Sequence, residues 1–365
     1  MVGDAMTTDE LITTKTGRIG HIELNRPKAL NALNWNMVQR IHDALKNWEV
    51  DDSVEAVLVT GAGERAFCAG GDVKSIYWAG KAGEVGRDGT LTADFFRAEY
   101  TLNYQIANYP KPYLAYLDGV TMGGGVGISV LGSHRIASQH TVFAMPETGI
   151  GFFPDVGGSY FLSRQGPIGL LLALTGQPID YTATFALGFA THFVPRENGS
   201  ELVERLATTG IEGTLESLCQ SPPPSDQVEN LRSLANACFD CNTLGEVLRR
   251  LEHSAAAASS LTTLAGETLE KIRQRSPTSV AVAFEQLRRG RGLSLRDCLI
   301  MEYRISQACM QGHDFYEGIR ALLIDKDHAP RWSPETIEGV GASLIARHFE
   351  ALGDRDLDLD RGGCC

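Results

Sequence analysis

"YLAYLDGVTMGGGVGISVLG", residues 113–132, opens as a nearly continuous apolar run over 113–120. Such a run reads as a strand buried on both faces. It then passes through Gly123-Gly124-Gly125 into an apolar stretch that reads as a helix. A strand feeding a helix through a glycine turn is half of a βαβ unit, and the rest of the first half of the chain repeats the theme. "VEAVLVTG" (54–61) and "HTVFAM" (140–145) are further strands, and "LITTKTGRIGHIELN" (11–25) reads as a hairpin around Thr16-Gly17-Arg18. Residues 35–49 carry Met37, Val38, Ile41, Ala44, Leu45 and Trp48 as a helical stripe. The expected class is α/β with parallel pairing.

Beyond about residue 200 the texture changes. "SPPPSDQ" (221–227) is a linker signal, and 228–239, 244–276 and 294–310 all read as helices. The expected organisation is a core over 8–200, a helical region over 201–347, and a mobile tail over 348–365, where charge alternates with little core material. With 43% hydrophobic and 21% charged residues the chain has the composition of a globular protein. Its 33 basic against 45 acidic residues leave −12, with no long basic run, which argues against a nucleic-acid partner. A local patch such as "LRRGR" (287–291) is still suited to a single anion. No apolar run suits a bilayer, and Asp4 and Asp9-Glu10 argue against a leader, so no membrane partner is expected. Eight scattered cysteines read as reduced thiols, Cys238-x-x-Cys241 as structural, and the Cys364-Cys365 end as weak evidence for lipidation.

Chemistry concentrates in three places. "AFCAGGDVKSIY" (66–77) and "DGVTMGGGVGISVLG" (118–132) are glycine-bearing turns after strands. Backbone N–H groups at such turns can point at a developing negative charge, and two side by side would make an oxyanion hole. Neither contains a P-loop, G-x-G-x-x-G or G-x-S-x-G pattern. Cys68 beside the first turn reads as a packed thiol. The third place is "MPETGIGFFPDVGG" (145–158), which sets Glu147 and Asp155 among glycines, prolines and phenylalanines. A carboxylate in so apolar a setting is costly unless paired, hydrogen-bonded or used. Helix or turn capping is the structural alternative for both, and a surface charge is the alternative for Glu99. No His/Cys/Asp/Glu cluster has metal-ligand spacing, so no metal is expected.

"HIELNRPKALNAL" (21–33), "AFCAGGDVK", "DGVTMGGGVG" and "AMPETGIGFFPDVGG" together resemble the crotonase (enoyl-CoA hydratase/isomerase) superfamily, over about residues 10–345. "SPTSVAVAFEQL" (276–287) and "MEYRISQACMQGHDFYEGIRALLIDKDHAPRW" (301–332) are similar to its 3-hydroxyisobutyryl-CoA hydrolase branch. The resemblance implies a crotonase-type ββα spiral core followed by a C-terminal helical region that closes the acyl pocket. It puts the two oxyanion-hole N–H groups on Gly71 and Gly124, and contacts to CoA on Lys28, Ala29, Leu30, Gly70 and Asp72. Hydratases of the superfamily carry a Glu where this chain has Gly127, and their second Glu falls on Glu147. Asp155 matches the acid that the hydrolases add, and Glu99 their acid on an earlier helix.

The resemblance therefore implies hydrolysis of 3-hydroxyisobutyryl-CoA, or a close 3-hydroxyacyl-CoA, in valine catabolism. Glu147 would attack to give a mixed anhydride or activate water, and Asp155 would read the 3-hydroxyl or assist proton transfer to the thiolate. CoA enters as part of the substrate and no separate cofactor is expected. Homo-oligomerisation is left open. The expected compartment is the cytoplasm, or the mitochondrial matrix for a processed eukaryotic form. The rival readings are an enoyl-CoA hydratase or isomerase, disfavoured by Gly127, and a non-enzymatic binding protein, disfavoured by the negative charge and the set of acids.

Overall fold

The computed structural model describes residues 9–360; the expectations resting on Asp4 and on Cys364-Cys365 concern residues outside that span. Ten strands are found among the described residues: β1 (Leu11–Thr16), β2 (Ile19–Leu24), β3 (Ala56–Gly61), β4 (Ala66–Cys68), β5 (Tyr113–Leu117), β6 (Val120–Met122), β7 (His134–Ala137), β8 (Val142–Ala144), β9 (Ile179–Asp180) and β10 (His192–Phe193). A six-stranded sheet has the order β1-β2-β3-β5-β7-β10, and a smaller one the order β4-β6-β8-β9. β1 and β2 form the antiparallel hairpin, with Gly17 at φ 57° in its two-residue turn. The pairs β2–β3, β3–β5, β5–β7 and β7–β10 are all parallel. The α/β class with parallel pairing is thus observed.

The chain groups into two compact units whose segments alternate along it. This differs from the sequential division at 8–200, 201–347 and 348–365 that texture suggests. The first unit comprises residues up to Gly71, Gln105–Phe143 and Asp180–Pro223; the second comprises Asp72–Tyr104, Ala144–Ile179 and the chain from Pro224. The passage from Pro223 to Pro224 falls inside the proline-rich linker signal.

In the first unit every residue of β5, and all of β3 but Gly61, is buried, which is why both read as unbroken apolar runs. Leu58, Leu114, Tyr116 and Ile136 share a core with Leu202, Leu206, Leu215 and Leu218 from the helices Gly199–Thr209 and Ile211–Leu218. Trp35–Glu49 is helical as its stripe requires, with Met37, Val38, Ile41 and Leu45 buried and the Asn34 side chain accepting from Met37 N–H as N-cap. The strand expected over 113–120 is broken at Asp118-Gly119. Gly119 lies at φ 97°, and a Cβ there would overlap the Arg65 backbone, so the chain turns and begins β6.

The second unit is helical. Pro167–Thr175 is buried from Ile168 to its end and forms a central helix, contacted by Asp226–Cys238 and Pro277–Gly290. Ser225, Thr243, Ser276 and Ser294 each cap the helix that follows them. The helix expected over 244–276 is two, Leu244–Ala256 and Thr262–Gln274. Residues 348–360, expected as part of a mobile tail, have specific anchors. Arg304 grips Asp356 through two hydrogen bonds, Arg97 donates to the carbonyls of Arg355 and Asp356, and Leu357 and Leu359 are buried. The anion patch of 287–291 is partly spent, because Glu285 holds both Arg288 and Arg289. Cys238 and Cys241 are free thiols, and Cys241 donates to the Cys238 carbonyl. No helix of the described residues is long and apolar enough to cross a membrane.

Candidate active site

The two glycine turns belong to the first unit and lie beside each other because β4 and β6 pair in parallel. A Cβ placed on Gly70 would lie 3.8 Å from the Gly124 nitrogen and 3.6 Å from the Met122 carbonyl oxygen. Gly70 sits at φ 121°, where an L side chain is strained. Gly123, at φ 49°, turns the chain so that the short buried helix Gly124–Gly127 starts here. Gly125 is required by close approach, since a Cβ on it would overlap the Cys68 carbonyl oxygen. Neither the Gly71 nor the Gly124 N–H donates to a protein group among the described residues. Two undonated amides on adjoining turns, one of them opening a helix, are a ready receptor for negative charge.

The segment 28–30 is tied to the first turn. Ala69 N–H donates to the Leu30 carbonyl (3.0 Å) and Leu33 N–H to the Gly70 carbonyl (2.8 Å). Lys28 and Ala29 are exposed in a 3-10 turn, and Leu30 is half-buried at φ 52°. Sequence reading overlooked Asn31. Fully buried at φ 56°, it accepts from Arg26 N–H and donates to the Ala62 and Ala66 carbonyls, stitching this loop to the start of β4 and the segment before it. Asp72, just past the turn, is the N-cap of Val73–Lys81 and accepts from Ser75 N–H.

The acids belong to the second unit, and it brings three of them together. Glu99, Glu147 and Asp155 are 2%, 6% and 5% exposed. Glu147 starts a 3-10 turn that Gly151, at φ 72°, closes; a Cβ there would overlap the Asp314 backbone. Phe96, Phe152 and Phe315 enclose the loop, with Phe96 stacked on Phe152 at 5.3 Å and Phe152 edge-on to Phe315 at 5.6 Å. Neither acid of the loop caps through its side chain, so the capping alternatives fail. The surface alternative for Glu99 fails by its burial.

On the helix Leu91–Ala107, Phe96, Glu99, Tyr100 and Asn103 follow the i, i+3, i+4, i+7 spacing of one face. Tyr100 donates its O–H to Asp155 Oδ2 at 2.7 Å. Glu99 Oε1, Glu147 Oε2 and both amide atoms of Asn103 are buried without a protein partner. Unpartnered buried polar atoms are expensive, and their clustering marks a place where something else supplies the hydrogen bonds.

Burial first, and then the negative charge of Asp155, pushes Glu99 and Glu147 well above the usual carboxylate range. Burial also raises Asp155, to about 7, against the opposing pull of the Tyr100 hydrogen bond. A fourth acid, Glu302 on the helix Leu295–Gln311, is fully buried and accepts Gly157 N–H and Ser159 N–H at 2.8 Å each. Burial carries it to about 8 in spite of those bonds, and the charge of Asp155 adds to the rise. Tyr100, Asn103 and Glu302 escaped the sequence reading. Tyr100 and Asn103 could have been found from their helical spacing to Glu99, whereas nothing local marks Glu302. A cavity of about 380 Å³ in the second unit is walled by Phe152, Phe153, Cys309 and Phe315 but by none of the three acids.

Residues 19–349 match the family model described as enoyl-CoA hydratase/isomerase. The 3-hydroxyisobutyryl-CoA hydrolase, mitochondrial, of Danio rerio is 46% identical over 358 residues, covering 96% of this chain and 92% of the relative. The human protein of the same name is 43% identical and covers 96% and 90%. Among solved structures, a carnitinyl-CoA dehydratase from Mycobacterium thermoresistibile is 40% identical with a TM-score of 0.90, covering 97% of this chain and all of that one. An enoyl-CoA hydratase from Rhodobacter sphaeroides is 38% identical with a TM-score of 0.87, covering 96% and 99%.

Proposed function

The chain belongs to the enoyl-CoA hydratase/isomerase family, and on that premise we propose that it hydrolyses the thioester of 3-hydroxyisobutyryl-CoA, or a close 3-hydroxyacyl-CoA, to the free hydroxy acid and CoA. The observation that carries this reading is the pairing of a buried Glu147 and Asp155 with the absence of an acid at Gly127, which is enclosed in the helix Gly124–Gly127. Adding water across a C=C bond calls for two carboxylates to shuttle the proton and the hydroxide, and Gly127 leaves the hydratase position without one. The names of the two solved structures describe dehydration and hydration, but those of the curated relatives describe the hydrolase, and the acids of this chain side with the latter.

In this reading Gly71 N–H and Gly124 N–H polarise the thioester carbonyl and hold the oxyanion that forms as its carbon becomes tetrahedral. Such donors accelerate because they are fixed before charge develops. Glu147, whose Oε2 is uncommitted within the protein, supplies the oxygen nucleophile or draws the proton from water. On both routes the oxyanion sits on the same pair of N–H groups and the C–S bond breaks to release CoA as thiolate, to be protonated; on the anhydride route a water must then open the anhydride to free the acid and restore Glu147. Label in Glu147 after a single turnover in ¹⁸O-water identifies the anhydride route with water attacking the glutamyl carbon, whereas direct attack of water on the thioester places all the label in the product acid. Asp155 reads the 3-hydroxyl. Lys28, Ala29, Leu30, Gly70 and Asp72 hold the CoA portion. The reaction belongs in valine catabolism, in the mitochondrial matrix for a processed eukaryotic form, as the names of the relatives support, and otherwise in the cytoplasm.

The test is thiol release from 3-hydroxyisobutyryl-CoA assayed beside hydration of crotonyl-CoA with one preparation. Brisk release with slow hydration is expected. Brisk hydration with the hydroxyacyl thioester left intact would overturn the reading.

A further inference from the structure

The residue after Asp155 is in an unusual conformation. Val156 is fully buried and lies at φ 53°, a region costly for any L residue and most of all for a β-branched one. A strained conformation persists only where its surroundings over-determine it. Here the restraints come from two helices more than a hundred residues further along the chain. Glu302 accepts Gly157 N–H with one oxygen and Ser159 N–H with the other, both at 2.8 Å. Gln286, on Pro277–Gly290, donates to the Pro154 carbonyl (2.5 Å) and to Ser159 Oγ (2.8 Å). Gly158 N–H returns to the Asp155 carbonyl at 2.8 Å. The turn 154–159 is therefore gripped on both sides of Val156. None of these bonds reaches the Asp155 side chain, so the turn fixes its backbone and leaves its carboxyl to meet Tyr100.

We propose that Glu302 is a positioning residue for the hydrolase reaction: its two-oxygen grip on Gly157 and Ser159 holds the strained turn and thereby sets the direction of Asp155. The idea rests on the hydrolase reading for its assay and on the turn geometry for its substance. An apolar residue in its place would spare the cost of burying a carboxyl but would leave two buried N–H groups without acceptors. Glu302 does what an apolar residue cannot, which is to satisfy two adjacent N–H groups that the reversed backbone turns inward.

The experiment is a double-mutant cycle on full-length protein with Glu302→Gln, Asp155→Asn and the pair. Glutamine keeps the size but has one acceptor, so one N–H loses its partner. Kinetics on 3-hydroxyisobutyryl-CoA and isobutyryl-CoA are read for each. The expected result is a loss of roughly 10- to 100-fold in kcat/KM for Glu302→Gln on the hydroxylated substrate, a smaller loss on isobutyryl-CoA, and no further loss when Asp155→Asn is added. Glu302→Asp, which keeps the charge but is too short to reach both amides, supplies the same cycle if the Gln variant does not fold. Losses that multiply, or that fall equally on both substrates, would overturn the proposal, as would full activity in the Gln variant. Wild-type turnover in the same assay tests the hydrolase reading separately. Should the wild type hydrate crotonyl-CoA instead, the cycle is run on that reaction, and non-additivity there still supports the role of Glu302.

Discussion

Replacing Asp155 by Asn should make the protein more stable and less selective, and the pH at which the stability appears is set by the burial of the acid. In the fold the carboxyl is raised from 3.8 to about 7, so the native state favours its neutral form while the unfolded chain ionises near the ordinary value. A raised group contributes its full stability below the unfolded value and loses it as pH climbs toward the folded one. For Asp155 that window runs from about 4 to about 7. At 1.36 kcal/mol per pH unit the loss has a ceiling of about 4 kcal/mol. Because Glu99 and Glu147 share the site, we expect about 1–3 kcal/mol to be realised. Asparagine is neutral at every pH and keeps an oxygen that can accept from Tyr100. The variant should therefore match wild type near pH 4, pull ahead through pH 5 and 6, and hold a constant lead above pH 7. Urea unfolding at a series of pH values reads the difference directly. On the kinetic side, the same change should cut activity on 3-hydroxyisobutyryl-CoA roughly 5- to 150-fold more than on isobutyryl-CoA, the cost of an unpaired buried hydroxyl. A stability difference that stays flat from pH 4 to 8, or a variant weaker than wild type at pH 8, would refute the account of Asp155 as a carboxyl held against its preference. Equal kinetic losses on the two substrates would assign Asp155 to the bond-breaking chemistry.

Glu147→Gln should abolish turnover on every acyl-CoA while leaving binding largely intact, which equilibrium titration with a substrate and single-turnover kinetics can check together. Gly125→Ala should force apart the two glycine turns, because the new methyl overlaps the Cys68 carbonyl oxygen; a displaced amide donor costs about 10²–10³ in rate, and a folded variant with full turnover would remove these turns from the oxyanion role.

Much of this architecture was legible because it rests on local patterns. β3 and β5 read as strands since both of their faces are covered, and Thr16-Gly17-Arg18 announces a turn whose glycine adopts positive φ. The acids were visible because an acid among phenylalanines needs a reason. What escaped depended on partners far along the chain. Tyr100 meets an acid 55 residues away, and Glu302 holds amides 143 and 145 residues away, within a sequence that reads as an ordinary amphipathic helix. The break at Asp118-Gly119 was hidden inside an apolar run, since only the approach of the Arg65 backbone demands it. The anchoring of the C-terminal segment was hidden for a similar reason. Its alternating charges look solvated until Arg304 and Arg97 are found beside them.

The alternation of the two units along the chain has a consequence for how the protein comes into being. A nascent chain completes the first unit once Pro223 has emerged, while 72–104 and 144–179, which carry Glu99, Glu147 and Asp155, still wait for their companions. Those companions, Gln286 and Glu302 among them, are synthesised last. At about 5–20 residues per second Asp155 thus waits roughly 7–30 s on the ribosome for Glu302. A chain cut short between Pro224 and Gln286 would hold every segment of the first unit, but would leave its acids without Gln286 and Glu302.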